Sequence, residues 1–485
     1  MQDFFGNFGC GRAPGRKSCK IVCAQAARRP QDGRPRGVFL GKKGGQTAVK
    51  IAIYTLGCKV NQYETQAMER ELLRRGHALA DFGGPADAYI VNTCTVTAVS
   101  DKKCRNIIRR TRKNAPEAVV AVCGCYAQTA PDAVAALGVD LVSGSAGRMD
   151  FLDRLEGLLR RREAQVVAVD EALSRREFER LPAGGGLGRT RAMLKVEDGC
   201  ANFCSYCVIP YARGPVRSLP LEEAAEQAAA LAEAGYREVV LTGIEISSWG
   251  RDLKTGRALI DLVEAVCAAA PGLRVRLGSL EPRTVTEEFC RRAAALPNLC
   301  PHFHLSLQSG CDETLARMNR NYDTAWYYKS VRLLRDNFDA PGITTDLIAG
   351  FPGETEGEFT RTLEFLRKCA FSAVHVFPYS RRPGTPAASM PGQLPREEKE
   401  ARVRRAIALA DELEGRWLSS QVGRALPVLF EEERDGLWQG HAPNYALVRA
   451  RGETLHNRLA DVRITGSEKG ALTGTVLPGD ACAGA

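Results

Sequence analysis

At 485 residues, 44% apolar and 26% charged, the chain has the composition of a globular protein of two to four domains. No apolar run is long enough to span a bilayer and the first residues lack the apolar core of an export signal, so the 17 cysteines read as thiols and metal ligands rather than disulfides. The net charge of +10 is mostly a tail effect: residues 1–50 carry 11 Lys/Arg against 2 Asp/Glu, which leaves +1 on the rest and excludes a generally basic, nucleic-acid-wrapping body.

Residues 1–48 are rich in Gly, Arg, Lys and Pro, show no hydrophobic period and read as a disordered basic extension. Cys10, Cys19 and Cys23 have no fourth ligand nearby. Residues 49–180 alternate buried-strand patterns (Lys50–Gly57, Asp87–Asn92, Ala118–Val122, Val139–Val142) with helical ones (Gln66–Arg75, Asp101–Lys113), which predicts an open parallel α/β domain. Cys58, Cys94, Cys123 and Cys125 follow or end these strands. Ligands bind beyond the carboxyl ends of such strands, so these thiols read equally as ligands converging on one rim or as buried strand-end packing.

A Gly-rich linker, Arg180–Thr190, leads into a second α/β series over 188–420. Its six candidate strands are Ala192–Val196, Glu238–Thr242, Arg274–Gly278, His302–Leu307, Ile343–Ile348 and Ala373–Phe377. With helices between them, such as Leu221–Ala234, Ala258–Ala269 and Glu356–Lys368, they predict a partial (β/α)6 barrel. A polar helix follows over Arg396–Gln421. Residues 422–485 alternate apolar and polar positions between Gly turns, the pattern of a small antiparallel β-barrel.

The densest chemical signal is C-x3-C-x2-C at Cys200, Cys204 and Cys207, just after the first barrel strand. Zinc knuckles use C-x2-C with a second pair, which is absent here. Three thiolates around an iron–sulfur cube leave one iron open to a ligand. Phe203 and Tyr206, between the thiols, supply an apolar shell that limits solvent access.

This spacing resembles the radical S-adenosylmethionine superfamily, in which the open iron takes the amino and carboxylate groups of S-adenosylmethionine. The resemblance implies cofactor contacts at successive strand ends: Gly243 and Glu245, Ser279 and Glu281, Gln308, Asp346, and Phe377. Three further segments, Thr55–Thr65, Val91–Thr97 and Gly124–Gln128, resemble the methylthiotransferase family. The family implies a second 4Fe–4S cluster on Cys58, Cys94 and Cys125, with Cys104 and Cys123 incidental. The run Gly57-Cys58-Lys59-Val60-Asn61-Gln62-Tyr63-Glu64-Thr65 is similar to the branch acting on N6-threonylcarbamoyladenosine at tRNA position 37. Gly440–Tyr445 and Leu455–Asn457 resemble the TRAM domain, a small RNA-binding barrel.

The resemblance implies an enzyme that places a methylthio group on C2 of that adenosine in the anticodon loop. It implies two clusters, S-adenosylmethionine, a flavodoxin- or ferredoxin-type electron donor, a cytoplasmic location and no membrane partner. Tyr445 and His441 are expected to stack on bases and Arg449 and Arg451 to meet phosphate, unless the barrel only buttresses the core. Alternatives are the isopentenyladenosine-37 branch, the branch acting on a ribosomal-protein aspartate, and a non-catalytic iron–sulfur RNA-binding or redox protein. Family members begin just before the first strand, so the resemblance also implies a start at Val49 read from a GUG codon, with residues 1–48 a mis-called extension.

Overall fold

The computed structural model describes residues 48–162, 164–184 and 190–478. Cys10, Cys19, Cys23, Cys482 and most of the basic extension lie outside them. The first domain is a six-stranded parallel sheet: β1 (Lys50–Thr55), β2 (Ala78–Ala80), β3 (Ala88–Thr93), β4 (Val119–Gly124), β5 (Leu141–Ser143) and β6 (Val166–Ala168), in the order 2-1-3-4-5-6. The apolar runs of β3 and β4 are buried throughout, as strands covered on both faces must be. Two strands escape the sequence pattern because three residues carry no period. The first helix, Lys59–Arg74, begins seven residues before its expected start. Its first turns bury the polar Asn61 and Glu64, so the apolar stripe that marks a helix is missing there. Helix Ala98–Asn114 shows the ordinary signals: Thr97 caps it by accepting from the Ser100 amide at 3.1 Å, with Asp101 in the first turn and Arg112 and Lys113 in the last.

The central strands are β7 (Arg191–Lys195), β8 (Glu238–Thr242), β9 (Arg274–Leu277), β10 (Ser279–Leu280), β11 (His302–Leu305), β12 (Gly342–Ala349) and β13 (Ala373–Pro378). They form two parallel sheets, 9-8-7 and 10-11-12-13. The expected third strand breaks at Gly278, whose amide still bonds Leu241 of the first sheet at 2.8 Å while the next residue enters the second. Among the described residues no pairing joins β7 to β13, so the barrel is open on that side. The first domain packs there: Tyr63 and Ala67 of its first helix join the core of the barrel. Arg382, beyond β13, clasps the same domain through Thr95 at 2.6 Å and Asp101 at 2.7 Å.

Helix Arg396–Ser419 leads to β14 (Ala425–Arg434), β15 (Leu437–His441), β16 (Leu447–Arg451), β17 (Leu459–Glu468) and β18 (Ala471–Val476), a closed barrel in the order 14-15-16-18-17. Four of its pairings are antiparallel; the closing pair, β16 with β18, is parallel.

Candidate active site

The loop after β7 carries Cys200, Cys204 and Cys207. It is pinned from both sides: the Cys200 amide bonds Gly214, the Ser205 amide and hydroxyl bond Met318 and Arg317 at 3.0 and 2.8 Å, and Asn319 holds the Phe203 carbonyl at 3.0 Å. Arg320 donates to the Cys204 sulfur at 3.0 Å and forks onto both oxygens of Glu281 at 2.6 and 2.8 Å. Burial, with the neighbouring thiols, pushes Cys207 up to about 12 and Cys200 up as well. Such thiols ionise only when a cation compensates them, as a metal ligand requires.

Cys58, Cys94 and Cys125 lie beyond the carboxyl ends of β1, β3 and β4, which are neighbours in the sheet. Gly57 has φ +117°, and a Cβ on it would stand 2.9 Å from the Cys94 Cβ. Gly124 has φ +100°, and a Cβ there would stand 2.4 Å from the Thr93 carbonyl oxygen; only glycine lets β3 and β4 deliver their cysteines this close. The Asn61 amide holds the Leu56 and Thr93 carbonyls at 2.7 and 2.9 Å, tying the first two loops together. Burial raises Cys58 and Cys94; Cys125 adds to both shifts and Cys58 to that of Cys94. Cys123 points the other way and packs in the core with Ile51, Met68 and Phe151. Cys104 is buried and its thiol donates to the Cys94 carbonyl at 3.4 Å, a contact that steadies the loop.

Arg213, from the central domain, reaches the Cys58, Cys94 and Cys125 set. It is fully buried at the end of helix Ile209–Arg213, and its Nε donates to the Cys125 sulfur at 3.2 Å. Its fork takes Glu64 and Asn61, the latter at 2.7 Å. Glu64 also meets Arg148 at 2.7 Å and Lys195 at 3.8 Å; Asp198 meets Lys195, Arg213 and Arg217 at 3.2 to 3.5 Å. Burial works against ionised Glu64, but Arg148, Arg213 and Lys195 outweigh it and bring its carboxyl down to about 2. Four buried cations thus face two ionised carboxylates, because burial drives the adjacent Glu197 toward its neutral form. A cation excess with N–H groups aimed at sulfur suits clusters whose three thiolates outweigh the net charge of the iron–sulfide core.

The carboxyl ends of the central strands carry polar residues. Gly243 ends β8 against Glu197; a Cβ on it would lie 2.6 Å from Oε2. Glu197 accepts from the Glu245 amide at 2.7 Å. Burial, then the charge of Glu281, raises Glu245 to about 7 against the hydrogen bonds from Ser247 and Ser248. Ser279 is exposed at the sheet seam. Gln308 has φ +66° and bridges β12 through its own amide to Asp346 and the Ile348 amide to its carbonyl, 2.9 Å each. Asp346 and Phe377 are half-buried, and Asp346 groups with His304 and His375, one ligand atom from each within 4.8 Å of the others. These residues stand in or just after the carboxyl-terminal halves of successive central strands, with Ser279 exposed at the seam.

Three features went unread in the sequence: Lys59, the Arg213 network and the histidine layer. Lys59, at the start of the first helix, is half-buried, and burial followed by the charges of Arg276 and Arg191 lowers it to about 8. One expectation is corrected. Tyr445 is not an outward base-stacking platform: its ring stacks on His302 at 4.5 Å and His441 at 4.7 Å, with the Arg276 guanidinium 4.8 Å from its centroid. It closes the amino-terminal end of the lumen, drawn in by the cationic strand residues. Arg449 is half-buried and Arg451 exposed on β16.

Residues 194–366 match the Radical SAM superfamily, and residues 50–144 match the family described as Uncharacterized protein family UPF0004. The chain is 38% identical to the threonylcarbamoyladenosine tRNA methylthiotransferase MtaB of Bacillus subtilis, across 85% of this chain and 93% of that one. It is 37% identical to the protein of the same name from Thermotoga maritima, across 87% and 96%. It is 33% identical to the tRNA-2-methylthio-N(6)-dimethylallyladenosine synthase of Chlorobium luteolum, across 88% and 97%. The radical S-adenosylmethionine methyltransferase TsrM from Kitasatospora setae shares the fold, with a TM-score of 0.52 at 18% identity over 70% of this chain and 77% of that one. Membership of a transferase family sets aside the non-catalytic alternative. The chain belongs to the radical S-adenosylmethionine methylthiotransferases.

Proposed function

We propose that this enzyme adds a methylthio group to C2 of N6-threonylcarbamoyladenosine 37 in tRNA, in the cytoplasm. The observation that carries the reading is the pair of three-thiol sets, each with a buried arginine donating to one of its sulfurs. The C2 hydrogen of adenine sits on an sp2 carbon without useful acidity, so a general base has nothing to take and the C–H bond must be broken homolytically. Cys200, Cys204 and Cys207 would hold the cluster that accepts S-adenosylmethionine, and Cys58, Cys94 and Cys125 a second one. Bound together, these groups supply the radical, the methyl group and the sulfur; a flavodoxin- or ferredoxin-type donor supplies the electron.

The protein's own residues orient and shield. Gly243 leaves room for a ligand's backbone-like groups beside Glu245, whose carboxylate is a seat for the methionine ammonium. Arg320 and Arg213 steady one thiolate in each triad. Phe203 and Tyr206 flank the first triad and limit water. Asp346, His304 and His375 offer hydrogen bonds to the base. The test is the nucleoside profile of tRNA from a strain lacking the gene. The methylthio derivative of N6-threonylcarbamoyladenosine should vanish and its precursor accumulate. Loss of the isopentenyladenosine derivative instead, or an unchanged profile, refutes the substrate.

A further inference from the structure

We propose that helix Ala98–Asn114 of the first domain, and not the C-terminal barrel, grips the phosphate backbone of the tRNA anticodon stem-loop. The proposal rests on the tRNA reading above and names the surface that meets this partner.

The positive charge of the folded body is concentrated there. Seven of the 17 residues of this helix are Lys or Arg and one is acidic. The chain beyond residue 50 carries +1 in all, so without this helix it is net negative. The helix also sorts its cations. Cys104, Ile108 and Thr111 form its buried face, and Arg105 and Arg112 turn back onto the domain, to the Tyr126 hydroxyl at 3.0 Å and to Asp140. Lys102, Arg109, Arg110 and Lys113 are exposed, and among the described residues none of the four has an ion-pair or hydrogen-bond partner for its side chain. Arg109 and Arg110 stand one turn from Lys113, where like charges repel, and a polyanion relieves that repulsion. Helix Arg396–Ser419 shows the opposite arrangement: its six Lys/Arg are matched by six Asp/Glu, and Arg396, Arg402, Arg405 and Arg416 are all ion-paired.

The stripe starts at the candidate site. The helix begins four residues after Cys94 and is fastened at that end: the Cys104 thiol donates to the Cys94 carbonyl at 3.4 Å, the Ala98 amide to the Ser380 hydroxyl at 3.0 Å, and Arg382 to Asp101 at 2.7 Å. Val96 and Val99 are exposed apolar side chains at its start, the kind of contact an unstacked loop base takes. At 1.5 Å per residue, Lys102 to Lys113 extend from about 8 to about 24 Å beyond the Thr97 cap. A nucleotide seated beside Cys94 thus has its adjoining backbone led along a row of cations. The C-terminal barrel offers no such row. Residues 425–476 hold six Lys/Arg against seven Asp/Glu, and Tyr445 is stacked inward between His302 and His441. An acidic electron-donor protein is the other partner for such a stripe. The line of cations leads away from the cysteines, as a backbone does, whereas a donor has to sit close over a cluster.

The test measures binding of anticodon stem-loop RNA to the anaerobic, cluster-loaded full chain across a salt series. Wild type is compared with R109Q/R110Q/K113Q and with R451Q/R463Q/K469Q on the barrel, all at exposed positions. Each phosphate contact contributes roughly 0.7 to 0.9 to the log–log salt slope, which is roughly 5- to 8-fold in affinity at 0.1 M salt. The helix variant should therefore bind roughly 100- to 500-fold more weakly and flatten the slope by about 2. The loss should be equal for loops carrying adenosine, N6-threonylcarbamoyladenosine or isopentenyladenosine at position 37, because phosphate contacts carry no base information. Its iron content, melting and RNA-free reductive cleavage of S-adenosylmethionine should match wild type. The barrel variant should keep the wild-type slope, and the basic extension is present in every protein and cancels. An unchanged slope in the helix variant overturns the proposal, as does a larger change in the barrel variant. So does a helix variant that binds RNA normally but turns over with dithionite and not with flavodoxin, which assigns the stripe to the electron donor. If the wild-type enzyme methylthiolates the isopentenyl loop and not the threonylcarbamoyl one while the helix variant still loses affinity, the substrate reading has failed and the helix keeps its role. If the wild-type enzyme binds no anticodon loop, both fall.

Discussion

Replacing Arg213 with Met keeps the volume of the side chain and removes its charge, and the structure sets the size of the effect. The guanidinium gives up its fork onto Glu64 and Asn61 and its bond to the Cys125 sulfur, all in a fully buried place. Breaking a buried pair from one side costs about 3–5 kcal/mol. Arg148 and Lys195 still hold Glu64, which points to the low end, about 3 kcal/mol. For a cooperative unit the size of the first domain, that is a drop of roughly 10 °C in its unfolding temperature. Differential scanning calorimetry of the anaerobically reduced, iron-free protein reads this without the cluster contributing. Glu64→Gln alone strands Arg148, Arg213 and Lys195, so it too should destabilise. The double variant should recover about 2 kcal/mol relative to the sum of the single ones, because removing both partners leaves fewer uncompensated charges. An R213M transition within about 2 °C of wild type, or strictly additive single variants, would refute the view that this network holds the domains together.

Other outcomes follow from single contacts. Cys58→Ala should halve the iron content, abolish the methylthio product and leave reductive cleavage of S-adenosylmethionine running uncoupled; full product yield would remove Cys58 from the chemistry. Tyr445→Ala should lower the stability of the C-terminal barrel by about 2 kcal/mol. Tyr445→Gly should be milder than the alanine variant by about 1 kcal/mol, because φ at this position is +71°; the reverse order in thermal melts would show that strain is not relieved there. Burial raises Glu245 from 4.5 to about 7, so between those pH values the folded protein holds a proton that the unfolded chain does not. Its contribution to stability accordingly falls as pH rises through that window. A ligand ammonium reverses the preference: S-adenosylmethionine should release a proton on binding near pH 6 and bind more tightly up to about pH 7. Calorimetric titration in buffers of different ionisation enthalpy detects this, and zero proton release there would exclude Glu245 as the ammonium's partner.

The two cysteine triads were legible because their information is local. C-x3-C-x2-C is a spacing, and Cys58, Cys94 and Cys125 sit one to three residues past a strand that apolar residues announce. The residues that tune them were not legible. Arg213, Arg320 and Lys59 are isolated charges, and an isolated charge in a sequence is ordinarily a solvated one; Arg213 meets its partners only where the first domain packs on the barrel, and Arg320 is enclosed by Cys204, Glu281 and Tyr322. Tyr445 failed for a related reason. An aromatic in a β-barrel loop reads the same whether it faces solvent or plugs a neighbouring barrel, and the choice was made by Arg276 and His302, more than 140 residues upstream. The short strands β2, β6 and β10 were missed because two or three residues hold no period.

The plug also bears on the order in which the chain folds. Arg276 is completed by the carbonyls of Pro443 and Ala442, Arg274 by those of Pro427 and His441, and Arg191 by Glu431, partners synthesised 153 to 240 residues later. Until they emerge, the central barrel carries guanidiniums at its base with donors unmet. The C-terminal segment is therefore part of the central domain's folding unit rather than an appendage added for RNA. Shortening the chain at the end of helix Arg396–Ser419 would take away the base of the reaction chamber itself.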